Sequence, residues 1–144
     1  MTRTLVDGAA YLFSNEYELA LIEQRTGWDA DELAKHVEMV VTTLGPDGAR
    51  ITQAGQPPVT VGAVPGIQAA DPTGAGDAFR AGFLAAVAWE LSLERAAQLG
   101  CLVAASALET VGTQEYQLTA AALTERFAAA YGHPAAAEVA QHLT

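Results

Sequence analysis

The run Asp71-Pro72-Thr73-Gly74-Ala75-Gly76-Asp77-Ala78-Phe79 sets small residues and an acid at the entrance to an apolar, helix-periodic stretch. Gly74, Ala75 and Gly76 let the backbone turn sharply and approach a ligand closely. A helix that starts immediately after them leaves several unpaired N–H groups directed at one spot. That is a seat for an anion, worth most for a phosphoryl group gaining charge in a transition state. Asp77 stands in the first turn of that helix, where the N-terminus favours its carboxylate form. A carboxylate so placed accepts the proton of a substrate hydroxyl. Anion seat and adjacent base are the minimum apparatus for moving a phosphoryl group onto an alcohol, a reaction that asks mainly for positioning and electrostatics. A bare GxG followed by Asp more often means a chain turn and a helix cap.

Taken whole, DPTGAGDAF at 71–79 resembles the carboxy-terminal signature of the PfkB (ribokinase-like) carbohydrate and nucleoside kinases. Asn15-Glu16-Tyr17-Glu18 is similar to that family's N-x-x-E element, with Asn15 and Glu18 in the matching places. The resemblance implies that the pair organises Mg²⁺ and phosphate oxygens through water, which suits an ion that keeps several waters and takes few protein ligands. The plain alternative is a polar helix N-terminus capped by Asn15. Thr43-Leu44-Gly45-Pro46-Asp47-Gly48 resembles the family's strand-end T-L-G-x-x-G, which lies along the ATP phosphates. Thr43 offers a hydroxyl, Gly45 lets a nucleotide reach main-chain amides, and Gly48 completes the motif. By itself this segment is a hairpin turn.

Asp71 and Thr73 match positions where many relatives bind a monovalent cation such as K⁺ through carboxylate and carbonyl oxygens. Gly100 through Gly112 resembles the helix and turn of the adenine pocket, with Ala104, Ala107 and Leu108 as small apolar wall; helix packing explains these residues equally well. Gly112-Thr113-Gln114-Glu115-Tyr116 resembles a tail of the adenosine-kinase-like branch, which favours a nucleoside over a plain hexose as acceptor. The resemblance therefore implies an ATP- and Mg²⁺-dependent phosphotransferase acting on a sugar or nucleoside. Asp77 would be the general base and the Gly74–Gly76 amides the anion hole. A truncated nucleotide-binding or structural module without catalysis of its own is the alternative.

Periodicity supplies the elements that must hold these residues. Ala9–Ser14 reads as a short buried strand, and Glu16–Thr26 as a helix with Gly27 just past its end. Asp29 caps a second short helix to Lys35. Glu38–Thr43 is a compact β-branched run, the profile of a strand covered on both faces. Pro46-Asp47-Gly48 makes a turn, Ala49–Gln53 alternates as a hairpin partner, and Pro58–Val64 is an edge-strand candidate. From Gly74 the pattern changes to Ala-rich helices over Asp77–Glu90, Leu93–Glu109, Leu118–Tyr131 and Ala135–Leu143. Strands interleaved with helices predict an α/β layer fold. By the resemblance it is the carboxy-terminal half of a three-layer ribokinase-like fold, a partly parallel sheet flanked by helices. Residues 1–144 are read as a single domain fragment.

Composition narrows the function. Half of the chain is apolar (51%), which excludes intrinsic disorder. Seven Lys+Arg against seventeen Asp+Glu give a net charge of −10, the wrong sign for a binder of nucleic acid or an anionic membrane. A nucleotide is still allowed, because backbone N–H groups and a metal ion hold phosphates without a basic surface. Cys101 is the one cysteine, so no internal disulfide and no thiolate metal cluster is possible, as expected for a reducing cytoplasm. His36, His133 and His142 are scattered without zinc-ligand spacing, and no P-loop motif is present. No apolar run approaches the roughly 18 residues of a membrane span, and the start MTRTLVDG lacks a signal-peptide core. Trp28 and Trp89 read as packing residues. The resemblance runs from about Asp7 to Tyr131 but covers only the second half of the family's pattern; the sugar-contacting first half is not in this sequence. A half-sheet leaves an unpaired edge and an apolar face, so self-association or a separate chain supplying the missing half is expected.

Overall fold

The computed structural model describes residues 11–64, 75–110 and 120–142. The chain divides into two compact units, Met1–Val61 and Gly62–Thr144.

The first unit is a four-stranded sheet in the order β1-β2-β3-β4. Strand β1 (Tyr11–Asn15) runs parallel to β2 (Met39–Thr43), with Leu12 opposite Val40 and Asn15 opposite Thr43. A parallel pair needs a crossover, supplied by α1 (Glu16–Thr26) and α2 (Ala30–His36). Strands β3 (Ala49–Thr52) and β4 (Val59–Val61) continue antiparallel. Local signals set the helix ends. Asn15 caps α1, Gly27 closes it at φ 75°, and the Asp29 side chain accepts the Glu32 N–H to open α2. In the elbow between them the Thr26 hydroxyl donates to Ile22 O and accepts the Trp28 N–H. Both helices pack apolar residues onto one face of the sheet, where Leu19, Leu33, Ala34, Val37 and Val40 form a core lined by Leu12, Ile22 and Trp28. Met39, Val40 and Val41 of β2 are all buried, as its β-branched run predicted. Trp28 stacks on His36 with ring centroids 3.8 Å apart.

The second unit is helical over its described residues: α3 (Ala75–Ala88), α4 (Leu93–Thr110), α5 (Ala120–Tyr131) and α6 (His133–Ala140). Phe79, Phe83 and Ala86 of α3 are buried at helical spacing, as are Leu99 and Leu102 of α4 and Leu123 and Phe127 of α5. An ion pair of 2.6 Å between Arg95 and Glu138 ties α4 to α6, and Trp89 stacks on His142.

Several boundaries differ from the sequence-based expectation. Helix α3 begins at Ala75, so Gly76 and Asp77 both fall within its first turn. It ends at Ala88 because Glu90 takes a left-handed conformation, φ 62°, that turns the chain out of the helix. Helix α6 starts at His133 rather than Ala135, since a proline is accepted in a helix's first turn, and stops at Ala140. Strand β4 is confined to Val59–Val61 and α2 reaches His36. Residues 9, 10, 118 and 119, expected within a strand and a helix, lie outside the described residues.

Candidate active site

In the first unit the motif residues gather at the carboxyl ends of the two parallel strands, where ligands bind in open α/β sheets. Asn15 ends β1 and Thr43 ends β2, and the two are register partners on neighbouring strands. Asn15 also caps α1 in a reciprocal box. Its Oδ1 accepts the Glu18 N–H at 2.7 Å, while Glu18 Oε1 accepts the Asn15 N–H at 3.0 Å. The capping alternative is thus realised, and it leaves Asn15 Nδ2 and Glu18 Oε2 outside the box. Beyond Thr43 the chain makes a tight turn over Gly45–Asp47, closed by the Leu44 N–H on Gly48 O at 2.8 Å. Gly45 has φ 57° and Gly48 has φ 104° with ψ −127°. The second of these is essentially a glycine conformation. A Cβ on Gly45 would meet nothing within 4 Å, so no packing demand selects its small size.

In the second unit Gly76 and Asp77 are exposed in the first turn of α3. A Cβ on Gly76 would meet nothing within 4 Å, so no packing demand selects the glycine there. Among the described residues nothing hydrogen-bonds or pairs with the Asp77 carboxylate. Ala104 is half-buried on α4. Ala107 and Leu108 lie on the same helix, but their side chains fall outside the description, as does that of Ala75. Asp71, Thr73 and Gly74 lie outside the described residues altogether.

Among the described residues no group of three or more His, Cys, Asp or Glu side chains could hold a metal. Mg²⁺ is usually held by one or two carboxylates, water and substrate phosphates. Glu18 fits such a role, being exposed with one carboxylate oxygen outside the box.

Three relationships were not read from the sequence. Gly82 and Gly100 sit where α3 meets α4; a glycine inside an Ala-rich helix was the available signal. Asn15 and Glu18 bond each other, which the N-x-x-E spacing of a capping box could have revealed. Cys101 is buried and hydrogen-bonded to Tyr131, whose hydroxyl donates to Gly62 O at 2.7 Å. Burial pushes the thiol up to about 11, against a smaller lowering by the Tyr131 hydrogen bond. Burial also raises Tyr131, helped by Cys101 beside it.

Residues 1–120 match the model of the pfkB family carbohydrate kinases. The chain belongs to this family, and its fold is ribokinase-like. The Burkholderia thailandensis nucleoside kinase in complex with inosine superposes with a TM-score of 0.83 at 34% identity, over 91% of this chain and 44% of that one. The nucleoside kinase of Methanocaldococcus jannaschii, described as an archaeal member of the ribokinase family, is 27% identical over 114 residues, 79% of this chain and 37% of that protein. Its crystal structure superposes with a TM-score of 0.73 over 82% of this chain and 39% of that one. A maize (Zea mays) inositol 3-kinase is 43% identical over 77 residues, 54% of this chain and 20% of that protein. The chain therefore spans about two fifths of the length of the nucleoside kinases it matches, 37% and 44%. Among the described residues no helix is long and apolar enough to cross a membrane.

Proposed function

We propose that this chain is the nucleotide-binding and base-bearing half of a kinase that moves the γ-phosphoryl group of Mg·ATP onto a hydroxyl of a nucleoside or sugar. The observation that carries the reading is the first turn of α3. It carries the Gly76 amide, where a Cβ would meet nothing within 4 Å, and in the same turn the exposed Asp77 carboxylate, which has no partner among the described residues. First-turn amides lack intrahelical acceptors and stabilise a phosphoryl group that gains charge. Asp77 takes the hydroxyl proton as the acceptor oxygen attacks, and Gly74–Gly76 supply the anion hole. Asn15 and Glu18 are assigned to the metal-bound phosphates, Thr43, Gly45 and Gly48 to the phosphate chain, and Ala104, Ala107 and Leu108 to the adenine. Bound Mg²⁺ neutralises phosphate charge; Asp71 and Thr73 are assigned to a monovalent cation, K⁺. A nucleoside acceptor is favoured because the Burkholderia relative is a nucleoside kinase in complex with inosine.

The residues that contact the acceptor would come from the half of the fold that this chain does not span, either covalently joined or as a partner. A second reading, nucleotide binding without turnover, is favoured by the share of the relatives covered, 37% and 44%. The two part in a phosphoryl-transfer assay over nucleosides and sugars, run beside Asp77→Asn. The substitution should lower turnover by about 10²–10⁴-fold and leave Mg·ATP affinity unchanged. Equal turnover in both proteins overturns the base assignment. Binding with no transfer to any acceptor supports the second reading.

A further inference from the structure

Helices α3 and α4 meet through bare backbone. A Cβ built on Gly100 would lie 2.8 Å from Cδ2 and Cε2 of Phe79 and 3.0 Å from the Phe79 carbonyl oxygen. A Cβ on Gly82 would lie 3.0 Å from Leu99 O and from Val103 Cγ2, and 3.1 Å from Gly100 Cα. A methyl group on Gly100 requires the Phe79 ring to shift, and one on Gly82 requires its neighbours to give by a few tenths of an ångström. Phe79 is 2% exposed and stacks on Phe83 at a centroid distance of 6.0 Å, so its ring is enclosed by packing.

We infer that the Phe79 ring, seated in the notch left by Gly100, is the positioning element of the candidate site: it fixes the axial place of the first turn of α3 relative to α4. This rests on reading that turn as the seat of phosphate and base. Helices that touch only through long side chains can slide, because rotamers adjust; a ring pressed on a glycine backbone cannot give in that way. Asp77 lies two residues before Phe79 on one hydrogen-bonded helix, and a slip of one residue along α3 is about 1.5 Å. A misplacement of about 1 Å costs on the order of a hundredfold in rate. Ala104, the candidate adenine wall, lies one turn beyond Gly100 on α4. The notch therefore sets the distance between the phosphate end and the base end of the part of the nucleotide site held by this unit.

The test is a comparison of Mg·ATP and Mg·ADP binding by calorimetry on the full chain, beside the backbone amide shifts of Gly76, Asp77 and Ala78 in labelled protein without nucleotide. Gly100→Ala should cut the preference for ATP over ADP about tenfold, because the terminal phosphate is the group that meets the displaced turn. It should also move the three amide shifts. Trimming the ring in Phe79→Leu/Gly100→Ala should bring both readouts back toward wild type. Val139→Ala, at a buried position on α6, should lower Tm and change neither. Where Gly100→Ala does not fold, Gly82→Ala applies the same wedge from the other helix. Unchanged amide shifts in the glycine variants, or equal changes in Val139→Ala, overturn the inference. If the wild type binds neither nucleotide, the reading of the site falls, and the amide shifts still decide the positioning.

Discussion

Asn15 and Glu18 hold each other across the first turn of α1, Oδ1 to the Glu18 amide at 2.7 Å and Oε1 to the Asn15 amide at 3.0 Å. The structural and functional readings of N-x-x-E are therefore not rivals. The box satisfies the Asn15 and Glu18 N–H donors and leaves an amide N–H₂ and a carboxylate oxygen outside it. Glu18→Gln keeps an oxygen for the Asn15 amide and removes the charge, whereas Glu18→Ala removes both. Thermal unfolding should show Glu18→Gln close to wild type and Glu18→Ala less stable by about 0.5–1 kcal/mol. In calorimetry both variants should lose the part of ATP affinity that depends on Mg²⁺. A Glu18→Gln protein that keeps that part removes Glu18 from the metal site.

Elements bounded by their own chain neighbours were legible in the sequence. Helix α1 runs from the cap Asn15 to Gly27 at φ 75° as read, and the buried β2 run was read to within one residue. The residue motifs were legible for the same reason, since a turn, a glycine and an acid lie within a few positions of one another. Features made by distant segments were not. Nothing local marks Asn15 as the register partner of Thr43, or Gly100 as the neighbour of Phe79. Those pairings come from helix and strand packing across a long stretch of chain. The end of α3 was missed for another reason: Glu90 adopts a conformation that its residue type disfavours.

That conformation gives a stability prediction. Glu90 sits at φ 62° just past α3, with its N–H on Val87 O at 3.0 Å and the Leu91 N–H on Ala86 O at 3.1 Å. This is the hydrogen-bond pattern in which glycine ordinarily ends a helix. The left-handed region costs an ordinary residue about 1–2 kcal/mol, and glycine gives part of that back in the unfolded chain. Glu90→Gly should stabilise by about 0.5–1 kcal/mol in urea unfolding. A lower midpoint would mean that the Glu90 side chain contributes more than its backbone strain costs.

Ser14 presents the opposite case, a polar group in the wrong surroundings. It is buried in β1 opposite Thr42, and its hydroxyl has no hydrogen-bond partner among the described residues. A buried, unsatisfied hydroxyl costs about 1–3 kcal/mol. Ser14→Ala should raise the urea midpoint by the equivalent of about 1 kcal/mol. A loss of Mg·ATP affinity in the same variant would assign the hydroxyl to the phosphate site proposed at the adjoining end of the sheet.

The buried thiol links stability to alkaline pH. Burial raises Cys101 from 9.0 to about 11, so the folded chain keeps a proton that the unfolded chain releases between those values. Folding is then favoured fully below pH 9.0, and the contribution is lost as pH rises toward about 11. The two values bound the loss at about 2–3 kcal/mol. Tyr131, raised by burial and by Cys101, adds a loss of the same sign at higher pH. Cys101→Ser retains a small donor for the Tyr131 oxygen and does not ionise in this range. Urea unfolding at pH 8 and pH 10.5 should show a steep drop in the wild type and a shallower one in Cys101→Ser. Parallel drops in the two proteins would place the alkaline sensitivity elsewhere. The same protonated thiol should react with alkylating reagents at pH 8 only as fast as the native state opens, since the thiolate is the nucleophile.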